Sequence, residues 1–145
     1  MYRGSASATV DDKGRLKIPA AYLDELRETG GEVFVTSENP ERVRIYPMKI
    51  WNAIEEKLKA GSMSHPAKQR FLTLTSAYGQ VAEIDKQGRV LIHLRLREKA
   101  QMRGEVDVLG KQTFLEVWNH ARFEDHLTRN ELSADDLKAL DDLGI

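Results

Sequence analysis

The chain has 145 residues, of which 41% are apolar, 22 are Lys or Arg and 23 are Asp or Glu. That composition suits one folded unit or two small coupled ones and excludes the disordered class. The absence of cysteine excludes a disulfide framework, thiolate zinc fingers, thiol nucleophiles and iron–sulfur clusters. No run approaches the roughly 20 apolar residues a membrane span needs, and the opening Met1–Val10 lacks the apolar core of a signal peptide, so a cytoplasmic protein without a membrane partner is expected. The net charge of −1 hides an asymmetry: residues 1–104 hold 18 Lys and Arg against 13 Asp and Glu, whereas residues 105–145 hold 4 against 10. A basic body carries an acidic end.

In chain order, Ala6, Ala8 and Val10 alternate with Ser7 and Thr9, Asp11 to Gly14 reads as a turn, and Leu16 and Ile18 alternate with Arg15 and Lys17. Two short strands therefore meet at a hairpin, with Gly14 supplying the positive φ that such a turn commonly requires. Pro19 suits the first turn of a helix carrying Tyr22, Leu23 and Leu26, which Gly30-Gly31 ends. Strands follow over 33–35 and 43–46, and Pro47 opens a helix with Ile50, Trp51, Ile54 and Leu58 on one face, stopped at Gly61. Phe71, Leu74 and Tyr78 predict a connecting helix over 66–78.

The hairpin then recurs. Val10-Asp-Asp-Lys-Gly-Arg-Leu-Lys-Ile18 and Ile84-Asp-Lys-Gln-Gly-Arg-Val-Leu-Ile92 both read apolar-Asp-x-x-Gly-Arg-apolar-x-Ile, at an offset of 74 residues. Gly31-Glu32-Val33 likewise matches Gly104-Glu105-Val106. Strands are predicted at 80–84, 90–92, 106–109 and 114–118, with helices at 94–102 and 121–128. Ser133 to Asp136 resembles a capping box opening a last helix with Leu137 and Leu140. The expected organisation is a first repeat with its helix over 1–62, a connecting helix over 63–79, a second repeat over 80–130 and an acidic tail helix over 131–145. Short hairpins cannot bury both faces alone, so two β-α-β units about a pseudo-two-fold axis sharing one core is the economical packing, an α+β fold.

The repeated Asp-x-x-Gly-Arg-x-x-Ile followed by a helix resembles the swapped-hairpin DNA-binding module of the AbrB family of bacterial regulators. Two such modules in one chain, with Tyr2-Arg3-Gly4 ahead of the first and Leu96-Arg97-Glu98 behind the second, resemble the MraZ family of bacterial transcriptional regulators over nearly the whole length. The resemblance implies a double barrel of two β-α-β repeats, closed-ring homo-oligomers, binding of double-stranded DNA at short direct repeats upstream of the protein's own division and cell-wall operon, repression of that operon, and nucleoid association. One departure is His93, which stands where the first repeat has Pro19.

Chemically, Lys13 and Arg15 flank Gly14, so one tight tip offers a point charge and a bidentate fork to phosphates or a guanine edge. Lys86, Gly88 and Arg89 repeat the arrangement, and Arg3 is a secondary candidate. Asp11 and Asp85 are poor partners for phosphate and are expected to support the turns. The competing reading of such a tip is that Arg15 pairs with Asp11 or Asp12 and merely fixes the turn. Leu91, unbroken between Val90 and Ile92, is expected to pack on another element or a neighbouring subunit. Trp51, Trp118 and Phe123 read as packing residues rather than stacking platforms for bases. No enzymatic constellation emerges: the four histidines form no His-x-x-x-His pair, no Gly-x-Ser-x-Gly occurs, and Gly104 to Lys111 misses phosphate-loop spacing by one residue. No metal site, cofactor or small-molecule substrate is expected. The leading expectation is a sequence-specific DNA-binding repressor acting as a ring, and the rival is a ring-forming structural or interaction protein without sequence-specific DNA binding.

Overall fold

Ala6, Ala8 and Val10 turn inward and Ser5, Ser7 and Thr9 stay exposed in β1 (Ser5–Val10), and the chain reverses through residues 11–14 into β2 (Arg15–Lys17). The computed structural model describes all 145 residues. After β2 come α1 (Ala20–Glu28), β3 (Glu32–Thr36), β4 (Val43–Pro47) and α2 (Met48–Lys59). The connecting helix α3 (Pro66–Ala77) leads to β5 (Gln80–Glu83), β6 (Arg89–Leu91), α4 (Leu94–Lys99), β7 (Gly104–Gly110), β8 (Leu115–Asn119), α5 (His120–Arg129) and α6 (Ala134–Asp142). Pro19 and Pro47 precede α1 and α2, where a missing amide hydrogen costs nothing. Ser133 and Asp136 close a reciprocal capping box on α6.

All eight strands form one antiparallel sheet in the order β5-β3-β4-β8-β7-β1-β2-β6. Its two end strands, β5 and β6, are the arms of the second hairpin, and the Asp85 amide donates to the Arg89 carbonyl at 2.9 Å, so the sheet curls into a nearly closed barrel. The pairing is exchanged between the halves: β1 pairs with β7 from Val10↔Gly104 to Ser5↔Leu109, while β3 pairs with β5 from Glu32↔Glu83 to Val35↔Gln80. The pseudo-two-fold axis crosses the barrel twice. At one wall β2 lies against β6 with Leu16 opposite its own counterpart Val90. At the opposite wall β4 lies against β8 with Arg44 opposite its counterpart Glu116.

The barrel interior is built in matched pairs, Leu16 with Val90, Ile18 with Ile92, Val33 with Val106, Val35 with Val108 and Ile45 with Val117, all essentially inaccessible. Leu26 and Leu96 seal it from α1 and α4. Each such side chain, fully buried, contributes about 1.5–3 kcal/mol of transfer free energy.

Two expectations need adjusting, and the packing role expected of the tryptophans is met outside the barrel interior. The helix foreseen over 94–102 stops at Lys99, because Gln101 takes φ 55° and the Met102 amide returns to the Arg97 carbonyl at 2.9 Å. Trp51 and Trp118 are buried, but outside the barrel under α2, α3 and α5, where Trp51 stacks on Phe34 at 4.5 Å and Phe71 at 6.1 Å. Leu91 is 47% exposed and no element of the chain covers it. Its strand faces outward at that position, because inward and outward positions alternate and Val90 holds the inward one.

Candidate nucleic-acid interface

The two hairpin turns are built alike. Asp11 Oδ1 accepts from the backbone amides of Lys13 and Arg15, each at 2.9 Å, and its Oδ2 accepts from Arg15 Nε at 2.8 Å. Asp85 does the same for Gln87 at 2.9 Å, the Arg89 amide at 2.8 Å and Arg89 Nε at 3.1 Å. The backbone amide of each arginine, followed by its guanidinium, holds both carboxyls below the usual carboxylate range. Gly14 and Gly88 have φ of 84° and 76°, a region that side chains with a Cβ avoid. Their carbonyls accept across the axis from Ile92 and Ile18, both at 2.9 Å, so the two turns are tied into one frame.

The β2–β6 register decides what this frame presents. Arg15 lies opposite Leu91, and Lys17 lies opposite Arg89. Leu16 and Val90 point into the barrel, so Arg15, Lys17, Arg89 and Leu91 share one outward face. Arg89 Nη1 also reaches to 4.0 Å from Asp11 Oδ2 of the other turn. Each aspartate occupies the arginine's Nε, and the Nη groups of Arg15 make no hydrogen bond within the chain. Lys13 and Lys86 are exposed at the tips. Placing Lys17 and Arg89 directly opposite each other costs stability, since like charges at such positions repel. The Lys17 ammonium recovers part of it by donating to the Gln87 carbonyl.

Helices back the turns in the exchanged sense, and here the halves differ. The Arg97 guanidinium of α4 lies over Gly14, where an added Cβ would stand 1.7 Å from its Nη1, whereas Leu23, the counterpart in α1, lies over Gly88 at 2.9 Å. Arg27 of α1 donates to the carbonyls of Asp85 and Lys86 at 3.1 and 3.3 Å. The sequence reading missed Arg97, Arg27 and Lys17 as members of this surface. Arg27 and Arg97 lie on the helices that follow β2 and β6, and each reaches the turn of the other half, so their membership becomes legible only when the hairpins are known to exchange.

Sequence candidates Lys13, Gly14, Arg15, Lys86, Gly88 and Arg89 are thus brought together, with Asp11 and Asp85 inside the turns. Arg3 is not brought to them: it lies at the far end of β1, where its carbonyl and that of Gly4 accept from the Tyr22 hydroxyl at 3.1 and 2.7 Å. No group of His, Asp and Glu side chains has metal-ligand geometry.

A family model described as "MraZ protein, putative antitoxin-like" matches residues 1–74 and 79–143. The chain belongs to the MraZ family. Relatives named Transcriptional regulator MraZ include that of Acidobacterium capsulatum, 42% identical over the full length of both chains. Those of Koribacter versatilis and Caldicellulosiruptor bescii are 41% and 34% identical, again over both full lengths. The MraZ family is one of transcriptional regulators, not enzymes. Its twice-matched model covers both turns and both flanking strands of the face described above. No helix is long and apolar enough to cross a membrane.

Proposed function

We propose that this protein regulates transcription by binding double-stranded DNA through the outward β2–β6 face and its two turns. The observation that carries the proposal is the gathering of Arg15, Lys17 and Arg89 on one face with Arg97 over the first turn, a set of like charges that the fold tolerates at a cost. The names of the MraZ relatives support the regulatory role. In this reading Arg15 and Arg89, each oriented by its aspartate, turn their Nη groups to guanine edges or phosphates. Lys13, Lys17, Lys86 and Arg97 contact the backbone and set the register. Arg3, away from both turns, is left out.

Following the family resemblance, the DNA read is a set of short tandem repeats upstream of the protein's own division and cell-wall operon, which it represses as a ring of subunits. A ring offers many faces at once, so contacts that are weak singly gain from high effective concentration when the repeat spacing lets neighbours engage together. The test is a gel-shift titration with that upstream DNA carrying one or several repeats, repeated across salt concentrations. The proposal expects tandem repeats to bind far more tightly than one, with affinity falling steeply as salt rises. Equal binding to unrelated DNA, or a flat salt response, would favour the rival ring without sequence-specific DNA binding.

A further inference from the structure

The two halves end in helices at corresponding places, α3 after α2 and α6 after α5, but only one of the pair is docked. α3 lies on an apolar flank: Phe71 stacks against Trp51 beside Phe34, Met48 and Val81, and the Thr36 hydroxyl donates to the Thr75 carbonyl at 2.7 Å. In the second half the positions of Phe34, Met48 and Val81 are taken by Asp107, His120 and Ser7, and His120 Nδ1 is hydrogen-bonded to Asp107 at 2.7 Å. A leucine-bearing helix has nothing to bury against there.

α6 accordingly stands away from the barrel. None of its residues is buried, and Leu137 and Leu143 are 52% and 74% exposed. Leu137, Leu140 and Leu143 line one side, with Asp135, Asp136, Asp141 and Asp142 around them. A nine-residue helix is marginal in water without tertiary packing, so this stripe calls for a cover that the single chain does not provide.

The chain does carry a surface of opposite character. Within α3 the charged side chains are Lys68 and Arg70, with no carboxylate, whereas residues 131–145 hold five carboxylates and one lysine. On the outer side of α3 a shallow cleft is lined by Gln69, Arg70, Thr73 and Leu74, with Leu74 and Met63 exposed beside it. The exposed Leu74 beside the cationic Arg70 is complementary to the leucine stripe of α6 and the aspartates around it.

We propose that α6 of one copy docks on the outer side of α3 of the next, with Leu137 and Leu140 on the Leu74 cleft and Asp141 or Asp142 against Arg70. Donor and acceptor lie on different surfaces, so the contact is heterologous and propagates head to tail, closing if the rotation allows. This names the joint of the ring, and it rests on the reading that the protein is an oligomer.

The experiment is light scattering at micromolar concentration on three proteins: wild type, Leu137→Asp/Leu140→Asp, and Arg70→Glu/Leu74→Asp. The wild type is expected as a multiple of 16.5 kDa and each variant as a single chain with unchanged circular dichroism. Mixed, the variants should form a dimer and stop there, because one retains a working α3 and the other a working α6. Variants that keep the wild-type mass would overturn the joint while leaving the ring intact. A wild type that is itself a single chain would overturn both. A second check uses the absence of cysteine: oxidised Thr73→Cys/Leu140→Cys should give a ladder of linked chains, and a cross-link confined within one chain would place α6 on its own α3 and refute the proposal.

Discussion

The pseudo-two-fold axis leaves the barrel through two walls that treat charge in opposite ways. At the β4–β8 wall the residues that face each other have become complementary. The Glu116 carboxylate, 8% exposed, accepts from Trp118 Nε1 at 2.9 Å and Arg44 Nε at 3.2 Å, with Arg42 Nε at 3.6 Å. Glu38 closes the cluster on Arg42 and Arg44 at 2.9 and 3.2 Å. At the β2–β6 wall no acid faces a base, since Lys17 lies opposite Arg89 and Arg15 opposite Leu91, and the carboxylates present serve the turns. A chain with two independent halves could have placed an acid opposite Lys17, as it placed Glu116 opposite Arg44. Cross-strand complementary charge marks the β4–β8 wall, whereas at the β2–β6 wall Arg15 and Arg89 pair only with the aspartates of the turns and Lys17 faces no carboxylate, the arrangement expected if the proposed DNA partner supplies the missing negative charge.

The comparison can be broken from either side. The largest effect is expected at the neutral wall. Glu116→Ala leaves Arg42 and Arg44 partly buried without their carboxylate and should cost about 3–5 kcal/mol, read as a lower midpoint in urea. Gly14→Ala and Gly88→Ala come next: each forces a Cβ into the left-handed region at about 1–2 kcal/mol. Gly14→Ala should also weaken DNA binding more than Gly88→Ala, since it displaces Arg97 rather than Leu23. Lys17→Leu, which copies Leu91 into the first half, should leave stability within a few tenths of a kcal/mol, because an exposed repulsion is lost along with an exposed hydrogen bond. It should lower the slope of log affinity against log salt by about 1.

The smallest effect is that of pH on the turns. Both aspartates have folded-state pKa values below their unfolded ones, so their contribution is present above the ordinary carboxylate range and is lost as pH falls through the depressed values. The urea midpoint of wild type should therefore approach that of Asp11→Asn/Asp85→Asn below pH of about 4 and stay above it by a constant margin from pH 5 to 7. A margin that changes across pH 5 to 7 would contradict the turn-support role.

Much of this was legible in the sequence. The repeated Asp-x-x-Gly-Arg announced two equal turns, prolines marked the starts of α1 and α2, and inward alternation identified Val10, Leu16 and Val90. What could not be read was which strand neighbours which. Alternation says that Lys17 and Leu91 point outward, but only the β2–β6 pairing sets Arg15 beside Leu91 and Lys17 beside Arg89. Leu91, expected to pack on another element or a neighbouring subunit, is covered by no element of its own chain and shares the basic face. The exchange of hairpins likewise puts Arg97 over the first turn although it lies 83 residues away from Gly14. The isolation of α6 follows from Asp107 and His120, residues that look ordinary until their counterparts Phe34 and Met48 are seen holding α3.

The most direct test of the account compares the two walls in one binding assay, using fluorescence anisotropy with the DNA upstream of the gene. Arg15→Ala/Arg89→Ala should remain folded, since the partly exposed pairs to Asp11 and Asp85 contribute little. It should lose about 1–3 kcal/mol of binding for each arginine that reads a guanine, whereas Glu116→Gln, once shown to be folded, should bind as the wild type does. Wild-type affinity in the folded double variant would contradict the assignment of the β2–β6 face to DNA.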